Sequence, residues 1–431
     1  MVKYSTIVLF LGCPVLGISA EVTPQSSRLL SPSAILAEVY SKNPEIASDA
    51  ARAEAEDKAI ASKYTPTNPR IGFMRESNLT FMQQQMGIMN SWSVSQELMF
   101  PTKYFSMGSM QRSRAKAARE EFLNTKLQVR HHALTRYYSF YSASRILSLL
   151  GAQRETLREI ARIAETRRAT GAVPQQDEMK AHVEQTKIEN ELLLQKQELT
   201  ESYAELKALL NLDQSSEIEL PQEDLKLPKL IMTQAHIESQ VMLSSKMVSA
   251  QRHMLEEMES GKALAIMSYL PDFILSYRKP FGSNSPAGAF AAQVEMTIPF
   301  WFFSKQTSEV ASASAKVMEA EHRLHHTVRM AQADTKRLVS KVETLSQLLK
   351  IYETALIPQS TSALNSSRAA YSAGRVGFQE LLDAERSLYS VRIEYYKNLE
   401  KFVETITGLE QVVGMVVSDL PIEPASSGGG V

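Results

Sequence analysis

The sequence predicts a mainly α-helical chain with a small β part, laid out as two structural repeats. Three observations carry this. Glycine and proline number only 17 each in 431 residues, about 8% together against a usual ~12%, so turns are scarce and long elements are favoured. Apolar residues recur at helical spacing over stretches far longer than an ordinary helix, and at strict alternation in a few short runs. Landmarks also return in order. Tyr64–Thr65–Pro66 is answered by Tyr269–Leu270–Pro271, Thr102–Lys103 by Ser304–Lys305, and Thr170–Gly171–Ala172–Val173 by Ala373–Gly374–Arg375–Val376, at offsets of 205, 202 and 203. A period near 200 is too long for a solenoid unit and reads as an internal duplication.

Residues 1–20 read as an export signal: Lys3 is the positive start, Ile7–Leu11 and Val15–Leu16 the apolar stretch, and Ala20 the small residue at the cleavage position. The alternative is lipoprotein processing at Gly12–Cys13. Either places the mature chain outside the cytoplasm. After residue 20 no apolar run reaches the ~18 residues of a spanning helix, so entry into a membrane would require strands closed into a barrel.

The first repeat is expected over 21–212. Ser31–Pro32 and Asn43–Pro44–Glu45 each pair a capping side chain with proline at the first helical position. The helix after Pro44 is expected to reach Lys63 and to be stopped by the two prolines of 64–69. Strands are expected at Arg70–Ser77 and Ser91–Leu98, joined by a loop over 79–90. From Thr102 to about Thr170, Leu123, Leu127, Leu134, Tyr138 and Tyr141 form a helical stripe. At ~1.5 Å per residue that is a rod near 100 Å long. After the turn at 170–174, a second helix runs to about Leu212.

A polar linker (213–232) leads to the second repeat, 233–415. Its hairpin alternates cleanly: Phe273, Leu275 and Tyr277 on one strand, then Phe290, Ala292, Val294, Met296 and Ile298 on the other. Such runs suit lipid-facing barrel strands, and equally a half-buried strand pair in a soluble domain. Another long helix follows Ser304, with Pro358 kinking or ending it. The last helix carries Leu388, Val391, Tyr395, Leu399, Phe402, Ile406, Leu409 and Val413 at steps of 3 and 4, a coiled-coil seam. Residues 416–431 read as a disordered tail.

Lys and Arg number 47 against 48 Asp and Glu, so no basic field is present to recruit nucleic acid. A single cysteine excludes a disulfide framework. No nucleophile elbow, phosphate loop or paired-carboxylate context suggests an enzyme or a cofactor.

Together these pieces resemble the TolC-like outer-membrane efflux family, over about residues 30–415. The carriers are Asn43–Pro44–Glu45–Ile46, Tyr64–Thr65–Pro66, the strand-to-helix turns Gln96–Pro101 and Ile298–Phe302, and the two tips Ala169–Val173 and Tyr371–Val376. Met296–Gln306 and the last helix resemble the heavy-metal branch most. The resemblance implies a homotrimer in which each chain gives four strands to one shared transmembrane β-barrel and its long helices to a periplasmic α-barrel. It also implies an outer-membrane location, a periplasmic adaptor meeting the tips (Gly171, Ala172, Val173, Gly374, Arg375, Val376), and an inner-membrane pump, proton-driven in the metal branch.

Glu380 and Asp383 share a helix face just after the second tip. The resemblance implies a ring of six carboxylates at the tunnel entrance, while acids in a first turn also simply complement the helix dipole. At the first tip Asp177 matches Glu380, but Lys180 matches Asp383, so the two tips differ in charge. His322 and His326, four apart, are weak metal-ligand candidates, His325 and the adjacent His131–His132 weaker still. Met82, Met86 and Met89 offer thioethers or flexible packing.

The reading is a passive exit duct of a tripartite efflux system, carrying heavy-metal cations. Small organic toxicants, protein secretion and a non-transporting periplasmic coiled-coil scaffold are the alternatives.

Overall fold

The computed structural model describes residues 28–29, 31–79, 86–169, 175–211, 218–219, 225–282 and 288–421. The expected export signal with Cys13, Met82, the Gly171–Ala172–Val173 tip and residues 422–431 lie outside the described residues.

The elements in chain order are β1 (Arg28–Leu29), α1 (Pro32–Lys42), α2 (Pro44–Tyr64), β2 (Arg70–Leu79), β3 (Met86–Leu98), α3 (Pro101–Ala169), α4 (Gln175–Leu209) and β4 (Ile218–Glu219), then α5 (Gln234–Ser244), α6 (Lys246–Met267), β5 (Asp272–Phe281), β6 (Ala291–Thr297), α7 (Lys305–Ile351), α8 (Ile357–Ser372) and α9 (Phe378–Val413). The caps behave as their chemistry requires. Asn43 Oδ1 accepts from the backbone N–H groups of Glu45 and Ile46 at 2.9 and 3.2 Å, with Pro44 in the position that needs no donor. Helix α3 runs 69 residues without a break.

Strands β2, β3, β5 and β6 form one antiparallel sheet in that order. Helices α2, α3, α6 and α7 pack side by side in the same order, so each strand continues into one helix of a four-helix wall. This is where the duplication shows: α2-β2-β3-α3 and α6-β5-β6-α7 are equivalent units. A buried lysine joins them. Lys103, at the start of α3, donates to Asp272 Oδ1 of β5 at 2.8 Å and to the Leu270 carbonyl at 3.0 Å, while the Phe100 N–H donates to the same carboxylate.

Below the wall the main core gathers α1, α3, α5, α7 and α9 around Ile35, Leu134, Tyr137, Tyr141, Ile237, Val342, Leu349, Phe402 and Ile406. A second core runs towards the far end between α3, α4, α8 and α9. The seam expected on α9 is buried at Leu388, Leu399, Phe402, Ile406, Leu409 and Val413. On α3, Leu134, Tyr138 and Tyr141 are buried, whereas Leu123 and Leu127 are half-buried.

Pro358 leaves a clear signature. Proline lacks an N–H and its ring clashes with the carbonyl four residues back. The chain widens to a π turn over Tyr352–Leu356 immediately before it and resumes as α8 without a sharp break. Two reciprocal hydrogen bonds tie the bulge to α9: Tyr352 donates to Glu394 and Tyr395 to Glu353, both at 2.7 Å. The Glu394 bond and burial push the Tyr352 phenol up to about 12.

Three expectations need correction. The first hairpin is longer than its sequence suggests, pairing from Arg70↔Ser95 to Leu79↔Met86, so residues 79 and 86–90 of the expected loop are strand. Gly87 and Asn90 are poor strand formers, and partner pairing overrides propensity there. The segment 416–421 is packed, not tail: Val417, Ser418 and Leu420 are buried. What holds it is Glu410, whose Oε1 accepts from the Val417 and Ser418 N–H groups and the Ser418 hydroxyl at 3.2, 3.1 and 2.6 Å. The linker is likewise anchored, with Leu225, Leu227, Leu230 and Met232 against the main core and Leu230 bridged to Ser418.

Candidate functional site

The candidate functional residues fall in two regions, the sheet at one end and the α8–α9 turn at the other.

Paired residues in a sheet share a face, so the register sorts every side chain. One rung reads Ile71–Val94–Tyr277–Ala292, the next Arg70–Ser95–Ser276–Gln293, and on the other side Gly72–Ser93–Arg278–Ala291. Leu98–Phe273–Met296 is again apolar, and Glu97–Ile274–Glu295 again largely polar. One face is therefore largely apolar and aromatic across the four strands, interrupted by Gln96 and Lys279, and the other is mainly small and polar. The apolar face is not covered: Ile71 is 82% exposed, Phe73 70% and Val294 69%. Trp92 and Tyr277 pack at 5.6 Å between ring centroids, and Tyr277 stacks on Phe290 at 6.0 Å. Of the candidate strand residues, Ala292, Val294 and Met296 lie on this face within β6, with Phe290 and Ile298 exposed just beyond its ends. Among the described residues the sheet has two open edges, β2 and β6. No helix among the described residues is long and apolar enough to cross a membrane.

The sheet ends in an exposed aromatic turn, Phe300, Trp301, Phe302 and Phe303. In the sequence, Phe300–Phe302 carry part of the family resemblance without a role of their own. Ile71 and Phe73 are not legible as members of this face from sequence, because their alternation stops at Arg75 and becomes readable only beside β3.

At the far end α8 closes in a Schellman motif. The Arg375 N–H donates to the Ala370 carbonyl and the Gly374 N–H to that of Tyr371, both at 2.9 Å, with Gly374 at φ +74°, a conformation that disfavours side chains with a Cβ. Arg167 of α3 braces the turn. Its guanidinium lies 4.9 Å from the Tyr371 ring centroid and donates to the Tyr371 carbonyl at 2.6 Å. Arg375 is exposed and Val376 half-buried.

Glu380 and Asp383 are both exposed on the first turns of α9. They are not equivalent. Asp383 accepts from Gln379 at 3.0 Å and lies 3.4 Å from Arg386, and Arg386 also pairs with Glu184 of α4 at 2.5 Å. The charge of Asp383 is thus partly offset within the chain.

The histidines do not converge. His322, His325 and His326 are all exposed on α7, and the described residues hold no group of three or more His, Cys, Asp or Glu able to bind a metal ion. His131 contacts His132 at 5.4 Å and shares a 2.8 Å hydrogen bond with Thr407; burial lowers its pKa, with the neighbouring His132 adding to the effect. Met89 pairs opposite Glu76.

Residues 239–415 match the family described as "Outer membrane efflux protein". The chain is 23% identical over 297 residues to the cobalt-zinc-cadmium resistance protein CzcC of Cupriavidus metallidurans, covering 66% of this chain and 68% of that protein. It is 20% identical over 397 residues to the outer membrane protein TolC of Vibrio cholerae, covering 88% and 90%. In structure it matches the Campylobacter jejuni CmeC outer membrane channel with a TM-score of 0.76 at 14% identity, over 96% of this chain and 94% of that one. The family match lies in the second repeat, and the fold of the whole chain is that of the outer membrane channel it superposes on.

Proposed function

We propose that this chain is the passive outer-membrane exit duct of a tripartite efflux system. Three copies close one barrel, and their helices continue it as a periplasmic tunnel. The observation that carries this is the sheet: an apolar outer face, a polar inner face and two open edges, each strand running into a long helix. Four strands are too few to close a barrel, and open edges are not tolerated in hydrocarbon. Three copies joined β6 to β2 supply twelve strands and leave no edge. A scaffold outside the membrane has no use for such a face. An inner-membrane, proton-driven pump supplies the energy, and a periplasmic adaptor joins it to the tips. The cargo is heavy-metal cations, a reading supported by the resistance named for the CzcC relative. Purified protein should give stable ohmic steps in planar lipid bilayers; absence of conductance from correctly assembled protein overturns the duct.

Glu380 and Asp383 place six carboxylates at the tunnel entrance of the trimer. Confined like charges attract cations, as acidic rings do in other pores. Glu380→Gln with Asp383→Asn should reduce the cation preference measured as a reversal potential in a salt gradient, and relieve block by a trivalent cation added from the tip side. Glu380→Gln alone should account for most of the change, because Asp383 is shared with Arg386. An unchanged preference in the double variant would mean that the acids only complement the helix dipole.

The tip is the adaptor-docking element in this reading. Gly374→Val introduces a β-branched residue at φ +74°, with a strain of about 1–3 kcal/mol, and its Cβ crowds the Arg167 guanidinium at 3.1 Å. Efflux should be lost while oligomers persist in the outer membrane. Normal efflux at normal abundance would remove the tip from the docking surface.

A further inference from the structure

Glu385 lies one turn beyond Glu380 on α9 and is fully buried. Neither of its carboxyl oxygens has a hydrogen-bond partner. Its neighbours at i−4, i−3, i+3 and i+4 are Leu381, Leu382, Leu388 and Tyr389, all buried, where α9 packs against α3 and α8 and shares a core with α4. An unpaired carboxylate ion in such surroundings is costly, whereas a leucine there would simply extend the core.

The groups acting on it come from three helices. Burial dominates and, with Glu184 and Glu191 of α4, favours the neutral form. Gln153 of α3 and Arg386 of α9 favour the ion. The balance moves the carboxyl up to about 7. Arg386 is already engaged by Glu184 at 2.5 Å and Asp383 at 3.4 Å, and Glu184 is also held by Lys187 at 2.8 Å. The charges around Glu385 are thus committed to one another and leave it without a counter-ion in contact.

We propose that Glu385 is a proton-operated latch on the helix junction above the tip: with its proton, α4 and α9 stay packed, and loss of the proton loosens them. In an opened junction the carboxyl regains water and its ordinary value of 4.5. Below 4.5 both states carry the proton and the packed junction has its full stability. Between 4.5 and about 7 only the packed state keeps it, so each unit of rising pH favours opening by about tenfold. Above about 7 both states are ionised and the effect levels off. The further consequence, a tunnel entrance that parts more readily at neutral than at acid pH, rests on the duct reading.

Hydrogen–deuterium exchange on the intact oligomer in detergent tests the latch directly. Exchange is measured from pH 5 to 8 and corrected for the chemical exchange rate. Peptides spanning 181–192 and 381–389 report the junction, and 129–141 in the main core serves as the control. The wild-type reporters should lose protection by about tenfold per pH unit up to 7 and then level, with no such loss in the control. Glu385→Gln, which cannot ionise, should flatten the reporter profile, and Glu385→Leu should flatten it and raise protection at pH 7.5. A flat wild-type profile, or an unchanged slope in Glu385→Gln, overturns the proposal. The readout is exchange, not passage, so it can fail while the duct conducts and succeed where it does not.

Discussion

Replacing Arg130 by methionine is expected to destabilise the protein by about 3–5 kcal/mol. Arg130 on α3 and Glu410 on α9 are 2% and 1% exposed and pair at 3.0 Å. Arg130 also donates to the Pro421 carbonyl, so one guanidinium holds α3, α9 and the last described residues together. Removing it leaves the Glu410 carboxylate buried against only neutral donors, those of Val417 and Ser418. The cost lies in the stranded charge rather than in the net worth of the pair. Arg130→Met with Glu410→Leu should therefore recover much of the loss, though not all, since the Val417 and Ser418 N–H groups lose their acceptor. Denaturant unfolding of the three variants gives the comparison, and limited proteolysis should show residues 416–421 cleaved first in Arg130→Met. A single variant within 1 kcal/mol of wild type would show the clamp to be dispensable.

Val294→Arg is the second large effect, about 2–4 kcal/mol per chain at mid-membrane and met three times in a trimer. Val294 belongs to the apolar face, opposite Leu275, while its neighbour Gln293 belongs to the polar one, opposite Ser276. In the proposed duct arginine at 294 would enter hydrocarbon, and at 293 the water-filled lumen. The expected result is loss of assembled trimer from outer-membrane fractions for Val294→Arg and near-normal assembly for Gln293→Arg. Ile71→Arg, three strands away on the same face, should behave like Val294→Arg. Equal tolerance of the 293 and 294 changes would contradict the lipid-facing assignment.

Much of this protein is determined by local sequence alone. The long helices follow from scarce glycine and proline and from apolar steps of 3 and 4. Their ends follow from Ser31, Asn43, Pro44 and Gly374, whose chemistry acts within a few residues. The second hairpin is legible because Phe290–Ile298 alternates without interruption, and the duplication because its landmarks return at nearly constant offset. Tertiary structure decided the rest. The membership of Ile71 and Phe73 in one apolar face depends on a register set by β3, since a slip of one residue would turn every side chain over. The ion pairs Arg130–Glu410 and Lys103–Asp272 join residues 280 and 169 positions apart, and no pattern in the chain links them. Glu385 looks from sequence like any acid on a charged helix. Only packing against α3 and α8, in a core shared with α4, takes both of its oxygens out of water. Periodicity reports which face of an element is apolar; which charges are shut inside depends on the neighbours that cover them, and those come from distant parts of the chain.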